Sequence, residues 1–186
     1  MRTLPTQNRD CKGAQEASRT PLAFLLTWRC YGTHLPGQPG AVLPAQNQYN
    51  SPLPTPNPIR ESSARARMLH PPYVLDPPHR DVVLTAMQQV CATKAWSLLA
   101  AHIRTNHIHV VISAPVKPES VLSVLKAYSS RALNSQSSSN RPHWARHGST
   151  RYLWNTQSLN AAVAYVLHSQ GDPMCTYTHP DIDCCS

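Results

Sequence analysis

Two histidines, His107 and His109, flank one isoleucine inside an apolar run that ends at Ser113. The run is rich in β-branched residues, which favours a β-strand. Because alternate residues of a strand point to the same face, the two imidazoles stand side by side while Ile108 and Val110 face the other way. Two neutral imidazoles on a rigid strand can chelate a divalent metal. The alternative is a pair of polar residues on the wet face of a sheet.

A tyrosine near the end of the chain could supply a nucleophile at such a metal. Tyr165 precedes His168 and Ser169 by three and four residues, a spacing that places them on one helix face, with Gln170 somewhat to the side. A tyrosine beside a metal can attack a phosphodiester, since the cation neutralises and orients the phosphate. The alternative is an amphipathic residue at the sheet edge.

Tyr128 is the rival nucleophile. It lies among Leu125, Ser129 and Arg131, and its spacing fits the apolar stripe of a helix. Packing in the core is therefore the favoured interpretation of Tyr128.

A basic and aromatic segment lies around residues 131–154. Phosphate neutralisation combined with base stacking is how proteins bind single-stranded nucleic acid. The alternative is a Trp-anchored hairpin with charged edges. The residues predicted to contact DNA are Arg131, Arg146, His147, Arg151, Trp144 and Trp154.

The elements that must position these residues follow from the hydrophobic periodicity. Strands are predicted at 22–28, 96–104 and 106–112, and a short hairpin at 144–154. Helices are predicted at 79–95, 118–134 and 159–170, the last capped by Ser158 and ended by Gly171. This order indicates an α+β fold in which helices cover one face of a mainly antiparallel sheet.

The length of 186 residues suggests one domain with appendages. We expect a disordered N-terminus over 1–20, a domain over 21–175 and a flexible tail over 176–186. Residues 38–78 are dense in Pro, Asn, Ser and Gln and are predicted to be an insertion, in which the Pro-rich stretch Ser51–Pro58 cannot hold a packed element. A short basic piece inside it, 60–68, could form a helical turn.

Composition narrows the class of protein. Lys plus Arg number 17 against 9 Asp plus Glu, a net charge of +8 that suits a polyanionic partner such as nucleic acid. No stretch is long and apolar enough to span a membrane, and the polar N-terminus lacks a signal core, so a cytoplasmic location is expected. Six cysteines form no Cys-x-x-Cys pair, which disfavours a zinc ribbon and predicts free thiols.

Four segments in this order resemble the single-tyrosine HUH transposases of insertion sequences, which include the REP-associated tyrosine transposases. Thr27–Gly37 resembles their first strand and its exit turn, and Asn106–Val111 resembles their His-hydrophobic-His motif. Trp144–Trp154 and Tyr165–Met174 are similar to the segments that follow. The resemblance covers about residues 22–37 and 79–175.

The resemblance implies a ferredoxin-like or RRM-like antiparallel sheet, with His107 and His109 binding Mg²⁺ or Mn²⁺. Tyr165 would attack single-stranded or hairpin DNA, giving a 5′-phosphotyrosine and a 3′-hydroxyl for later strand transfer. Such enzymes are often dimers, so a homodimer is expected, in which the tyrosine of one copy could serve the histidines of the other.

One departure concerns the third metal ligand. Relatives often carry Gln or Asn four residues after the tyrosine, whereas this chain has Ser169 there and Gln170 one later. Either a locally overwound helix brings Gln170 to the metal, or His168 or water completes the shell.

The leading functional hypothesis is thus a transposase-like DNA endonuclease and strand transferase. The alternative is a non-catalytic DNA- or RNA-binding module on the same fold, a domesticated transposase. A zinc hydrolase is disfavoured, because neither a third strong ligand nor a carboxylate base has a fixed spacing to the histidine pair.

Overall fold

The computed structural model describes residues 20–41, 54–137 and 141–182. The predicted N-terminal disorder, the middle of the Pro-rich insertion and the last residues of the predicted tail lie outside this part of the chain. The described helices and strands are β1 (Ala23–Cys30), α1 (Pro58–Ala66), α2 (Pro77–Lys94), β2 (Ser97–Ile103), β3 (His107–Ser113), α3 (Pro118–Gln136), β4 (Trp144–Leu153), α4 (Thr156–His168) and β5 (Cys175–Thr178).

The strands form one five-stranded sheet in the order β4-β1-β3-β2-β5, and every neighbouring pair is antiparallel. Without α1, α4 and β5, the chain runs β1-α2-β2-β3-α3-β4, which is the βαββαβ arrangement of ferredoxin-like folds. The predicted α+β class and antiparallel sheet are confirmed.

The helices lie on both faces of the sheet. One core, below α2 and α3, contains Phe24, Leu26 and Trp28 from β1 together with Ile108 and Val110 from β3. The other core lies below α4. It contains the strand residues that point to the opposite face, such as Ala23, Val111 and Leu153, together with Ala162 and Val166 of α4 itself. The prediction that helices cover one face is right for α2 and α3, and α4 departs from it. The reason is that β1, β3 and β4 carry apolar side chains on both faces. Ala23, Val111 and Leu153 lie on the face that α4 covers.

The segment predicted as a hairpin is a single edge strand, β4, that pairs with β1 from Ala23↔Leu153 to Cys30↔Trp144. Gly148 lies within this strand, and its role is to allow close approach of its neighbours. A Cβ there would lie 2.8 Å from the Thr27 backbone oxygen and 2.8 Å from Leu122 Cδ2. Glycine therefore lets α3 and β1 pack against the strand, and the hairpin prediction is wrong.

Three other boundaries differ from the sequence prediction. The basic piece of the insertion forms a nine-residue helix, α1, and β5 lies partly in the predicted tail, where it hydrogen-bonds to β2. The last helix starts after the N-cap Asn155, whose side chain forms a capping box with Ser158, and ends at His168. No helix among the described residues is long and apolar enough to cross a membrane.

Candidate metal and nucleophile site

The histidine pair lies at the centre of the sheet, on the face covered by α4. The His107 and His109 rings are adjacent, with centroids 4.9 Å apart and planes at 84°. Between them Ile108 points to the opposite core and is fully buried. The alternation of the sequence therefore does place both imidazoles on one face of a rigid central strand.

One nitrogen of each ring is held by a neighbouring oxygen. The His109 Nδ1 lies 2.8 Å from the Thr27 hydroxyl, and the His107 Nδ1 lies 2.6 Å from the Asn106 Oδ1. An amide oxygen can only accept, so His107 donates its Nδ1 proton and keeps the Nε2 lone pair free. Metal-binding histidines are commonly fixed in this way, by an oxygen partner for the nitrogen that does not bind the metal.

Both rings are neutral at physiological pH. Burial lowers the pKa of His107 to about 4, with further contributions from the Arg29 and Arg104 cations. Burial also lowers the pKa of His109 to about 4, followed by the effects of His107 and His102. A neutral imidazole is the form that binds a metal, so protons do not compete for these nitrogens near pH 7.

Tyr165 stands beside this pair within the same chain. Its ring centroid lies 5.4 Å from that of His109 in an edge-on arrangement, and the side chain is 42% exposed. The helix that carries it is anchored by Ala162, Val163 and Val166 against the sheet. The phenol is therefore fixed near the histidines and open to a ligand from solvent.

Gln170 reaches the histidines because the helix ends before it. Ser169 is the C-cap of α4, and Gly171 has a φ of +75°, a left-handed conformation that glycine adopts without strain. The Gln170 side chain donates to the Tyr165 backbone oxygen at 3.2 Å, and its hydrogen-bonding interaction with both rings opposes the lowering of the pKa of His107 and His109. An overwound helix is not needed.

A buried histidine secures this end of α4. His102, fully buried and opposite His109 in the sheet register, has its Nδ1 3.0 Å from the Val166 backbone oxygen. Its Nε2 accepts from the Met174 backbone N–H at 3.2 Å, while Arg104 donates to the Asp172 carbonyl at 3.0 Å. These bonds satisfy a carbonyl at the helix end and fasten the segment that carries Tyr165 and Gln170.

The residues fit a divalent cation held by two imidazoles and an amide. The Nε2 atoms of His107 and His109 would be the donors, and the Gln170 amide oxygen is the candidate third ligand. Among the described residues, no group of three or more His, Cys, Asp or Glu side chains could hold a metal. Gln170 interacts with both rings, whereas His168 is exposed at the last position of α4, so Gln170 or water is the favoured third ligand. Three or fewer protein ligands with open positions are typical of catalytic metal sites.

Replacing Thr27 by Val should weaken metal binding without changing the shape of the site. The variant removes the hydroxyl that fixes His109, and loss of such a partner costs about 10- to 100-fold in metal affinity. The measurement is Mn²⁺ binding followed by electron paramagnetic resonance. Thr85→Val, on the exposed side of α2, is the control and should bind as the wild type does. Equal affinities for all three proteins would show that the Thr27 bond does not orient His109.

The two lowered pKa values also predict how stability depends on pH. In the unfolded chain each histidine titrates near 6.5, so between pH 6.5 and 4 the unfolded state binds more protons and the folded state loses stability as pH falls. After allowance for solvent screening, the pair should account for about 2 kcal/mol.

The check is urea unfolding with a chelator at pH 7.5 and pH 4.5. His107→Gln with His109→Gln should show a smaller drop than the wild type, while exposed His168→Gln should show the wild-type drop. A double variant with an undiminished drop would contradict the burial of two neutral rings.

The residues predicted to contact DNA separate onto the two faces of the sheet. Arg151 points to the α4 face, where it lines a cavity with Thr27, Ser149 and Tyr165. Arg146 and His147 line a cleft between β4 and α3 on the other face. Trp154 stacks on Tyr152, with centroids 5.5 Å apart, and remains half exposed. The structure thus brings only Arg151 close to the candidate site.

Trp144 and Tyr128 have packing roles on the α2–α3 face. Trp144 meets Trp28 edge-on and donates its indole N–H to the Lys126 carbonyl at 2.9 Å. Tyr128 packs against the same core, with the guanidinium of exposed Arg131 4.0 Å above its ring. The placement agrees with the preference for Tyr165, and base stacking by Trp144 stays a prediction that this packing does not support.

Sequence reasoning missed four residues around the pair: Thr27, Arg29, His102 and Arg104. Arg29 lies opposite His107 in the sheet register and forms no ion pair among the described residues. Alternation along the first strand puts Thr27 and Arg29 on one face. Pairing of β1 with β3 would therefore have been enough to predict that both lie beside the histidines. For His102 and Arg104 only the packing of α4 reveals the role.

Comparison with known proteins points to one family. The sequence model of the IS200-like transposases matches residues 72–165. Among curated proteins, no sequence matches the chain. Two solved structures are similar at a TM-score of 0.47, each over 81% of this chain. One is a REP-associated tyrosine transposase bound to a REP hairpin (10% identity, 68% of its length), the other a candidate transposase from Deinococcus radiodurans R1 (12% identity, 92% of its length).

Proposed function

The chain belongs to the family of IS200-like transposases, and from this premise we propose that it is a metal-dependent DNA endonuclease and strand transferase with Tyr165 as its nucleophile. The single observation that carries the proposal is the contact of Tyr165 with His109, whose ring centroids are 5.4 Å apart in one chain. Because this contact lies within one chain, the proposal is that Tyr165 acts with the histidines of its own chain. A homodimer stays a prediction.

The reaction is an exchange of one phosphodiester bond for another. The Tyr165 oxygen attacks the scissile phosphorus, the bond to the 3′-oxygen breaks, and a 5′-phosphotyrosine forms. The phenolic proton leaves, and the departing 3′-oxygen takes up a proton to become a hydroxyl. Reversal with a different 3′-hydroxyl restores the tyrosine and joins new strands, and no energy input is needed because a phosphodiester is conserved at each step.

The chain's own residues orient and hold the reactants. His107, His109 and Gln170 would bind Mg²⁺ or Mn²⁺, which when bound supplies positive charge to the phosphate oxygens and orients the phosphate for in-line attack. Thr27 and Asn106 each hold the Nδ1 atom of one ring, which leaves the Nε2 atoms available to the cation. Arg29 and Arg104, beside the pair, lower the pKa of His107 and would attract a phosphate for the same electrostatic reason.

Single-stranded or hairpin DNA is the proposed substrate, and the net charge of +8 supports a polyanionic partner. Arg151, exposed beside Tyr165 and without an ion pair among the described residues, would contact the strand at the reacting phosphate. Arg146, His147 and the half-exposed Trp154 are farther away, and their proposed contacts would hold the flanking DNA. Arg131 and Trp144 are the weakest of the proposed contacts, because the Arg131 guanidinium stacks on Tyr128 and Trp144 packs against the core.

The test is a covalent adduct. The purified protein is mixed with Mn²⁺ and a broad panel of hairpin-bearing single-stranded DNAs that carry a label at the 3′ end, and the products are separated on a denaturing gel. We expect a labelled protein band that needs both Mn²⁺ and single-stranded DNA. DNA binding without any adduct or cleavage across the panel would instead support a non-catalytic DNA-binding module.

A further inference from the structure

Beside Tyr165, on the side away from His107, the structure contains a cavity of about 450 Å³. Three elements line it: β1 and β4 form the floor and one wall, and α4 forms the other wall. This volume lies within the range of pockets that hold small organic ligands. The residues that define its chemistry are Leu25, Thr27, Ser149, Arg151, Ala161 and Tyr165.

The cavity exists because α4 presents small side chains next to its tyrosine. Ala161 precedes Tyr165 by one turn, so the two share a helix face, and the methyl group of Ala161 leaves room that a larger side chain would fill. Opposite them lie Leu25 on β1 and its cross-strand neighbour Arg151 on β4. The space is therefore bounded by an aromatic ring and aliphatic side chains, by the hydroxyl-bearing residues Thr27, Ser149 and Ser158, and by one cation.

These walls match the parts of a nucleotide. An extruded base is held by apolar and aromatic side chains, and its phosphate by a cation. Ser149, which lies opposite Thr27 in the register, adds a hydroxyl that can bond to the polar edge of a base. The Thr27 hydroxyl connects the cavity to His109 at 2.8 Å, so a base in the cavity would stand next to the phosphate on which Tyr165 acts.

We propose that this cavity is a binding pocket for one nucleobase, that of a nucleotide joined to the scissile phosphate. The inference rests on the proposed function and adds to it a pocket in which the enzyme recognises the base next to the scissile phosphate. Arg151 binds the phosphate of this nucleotide, and Ala161 sets the space available to its base.

The probes are the four deoxynucleoside 5′-monophosphates and deoxyribose 5-phosphate, which lacks the base. Binding to the full chain is followed by nuclear magnetic resonance, which needs neither cleavage nor a known target sequence. At least one nucleotide should bind at least threefold more tightly than the sugar phosphate and shift the signals of Ser149, Ala161 and Tyr165. Ala161→Leu should reduce nucleotide binding to the level of the sugar phosphate, and Arg151→Gln should weaken both probes by a similar factor.

Ala164→Leu is the matched control, since Ala164 is exposed on the same helix and does not line the cavity. It should bind the nucleotides as the wild type does. The inference is overturned if nucleotides bind no better than the sugar phosphate, if they shift signals elsewhere, or if Ala161→Leu binds as tightly as the wild type. If the protein binds nucleotides in the cavity but forms no DNA adduct, the pocket is supported and the proposed function is contradicted. If it forms the adduct but binds no nucleotide in the cavity, only the pocket is contradicted.

Discussion

Tyr165→Phe is expected to lower the yield of the covalent DNA adduct at least a thousandfold, a barrier increase of about 4 kcal/mol. The change deletes one oxygen and keeps the ring beside His109, so the packing of α4 is preserved. DNA affinity should stay within about threefold of the wild type, roughly 0.65 kcal/mol. The measurement pairs the denaturing-gel assay with a binding titration on the same labelled DNA.

Tyr128→Phe is the matched control for this substitution. Its ring packs on the opposite face of the sheet, under the guanidinium of Arg131, and the phenylalanine keeps that contact. The adduct should persist at the wild-type yield. Loss of the adduct in Tyr128→Phe with retention in Tyr165→Phe would reverse the assignment of the two tyrosines, while the histidine chelate would stand.

Removing both imidazoles, with His107→Ala and His109→Ala together, should abolish metal binding and the adduct. Gln170 alone supplies one neutral oxygen, which cannot hold a divalent cation at micromolar concentration, so we expect Mn²⁺ affinity to fall at least 100-fold. DNA affinity should change by less than about threefold, because the rings are neutral and the basic residues remain. Calorimetric titration with Mn²⁺ and the adduct assay give the two readouts.

Two exposed histidines provide the control for that double variant. His70→Ala with His168→Ala removes the same number of imidazoles away from the sheet centre, and should leave Mn²⁺ affinity and adduct yield unchanged. If the control loses metal binding as fully as His107→Ala with His109→Ala does, the cation is held elsewhere.

Hydrophobic periodicity predicted the helices and strands that are buried on one face or on both faces. Strands β1, β2 and β3 and helices α2 and α3 lie within a few residues of the predicted bounds. It failed for β4, because an edge strand with mostly exposed, polar side chains has no apolar alternation and contains Gly148. It failed likewise for β5, a four-residue strand of Cys, Thr and Tyr that exists only because β2 offers a free edge.

The side of the sheet on which α4 packs could not be read from its own sequence. The apolar stripe of Ala162, Val163 and Val166 was visible, but the stripe fits either face of a sheet. The face is determined by which strand residues point toward α4. Val111 and Leu153 point toward it and supply its apolar contacts, and His109 points to the same face. Packing of this stripe against the sheet therefore positions Tyr165 on the face that carries the histidines.

The candidate site was predictable in part for the same reason. Alternation on one strand was enough to place His107 beside His109. The supporting contacts join residues that are far apart in sequence, such as Thr27 with His109 and His102 with Val166, so they depend on strand register and helix docking. Gln170 was suggested by the resemblance, and the end of α4 at His168 explains how its side chain returns toward the rings.

The most direct test of the central claim is to locate the DNA on the protein. The adduct is isolated from the gel, digested with nuclease and protease, and sequenced by tandem mass spectrometry. The account predicts a nucleotide 5′-phosphate bonded to the side chain of Tyr165, in material that forms only with Mn²⁺. A nucleotide on Tyr128 or on any other residue, or DNA cleavage that proceeds with no covalent intermediate, would contradict it.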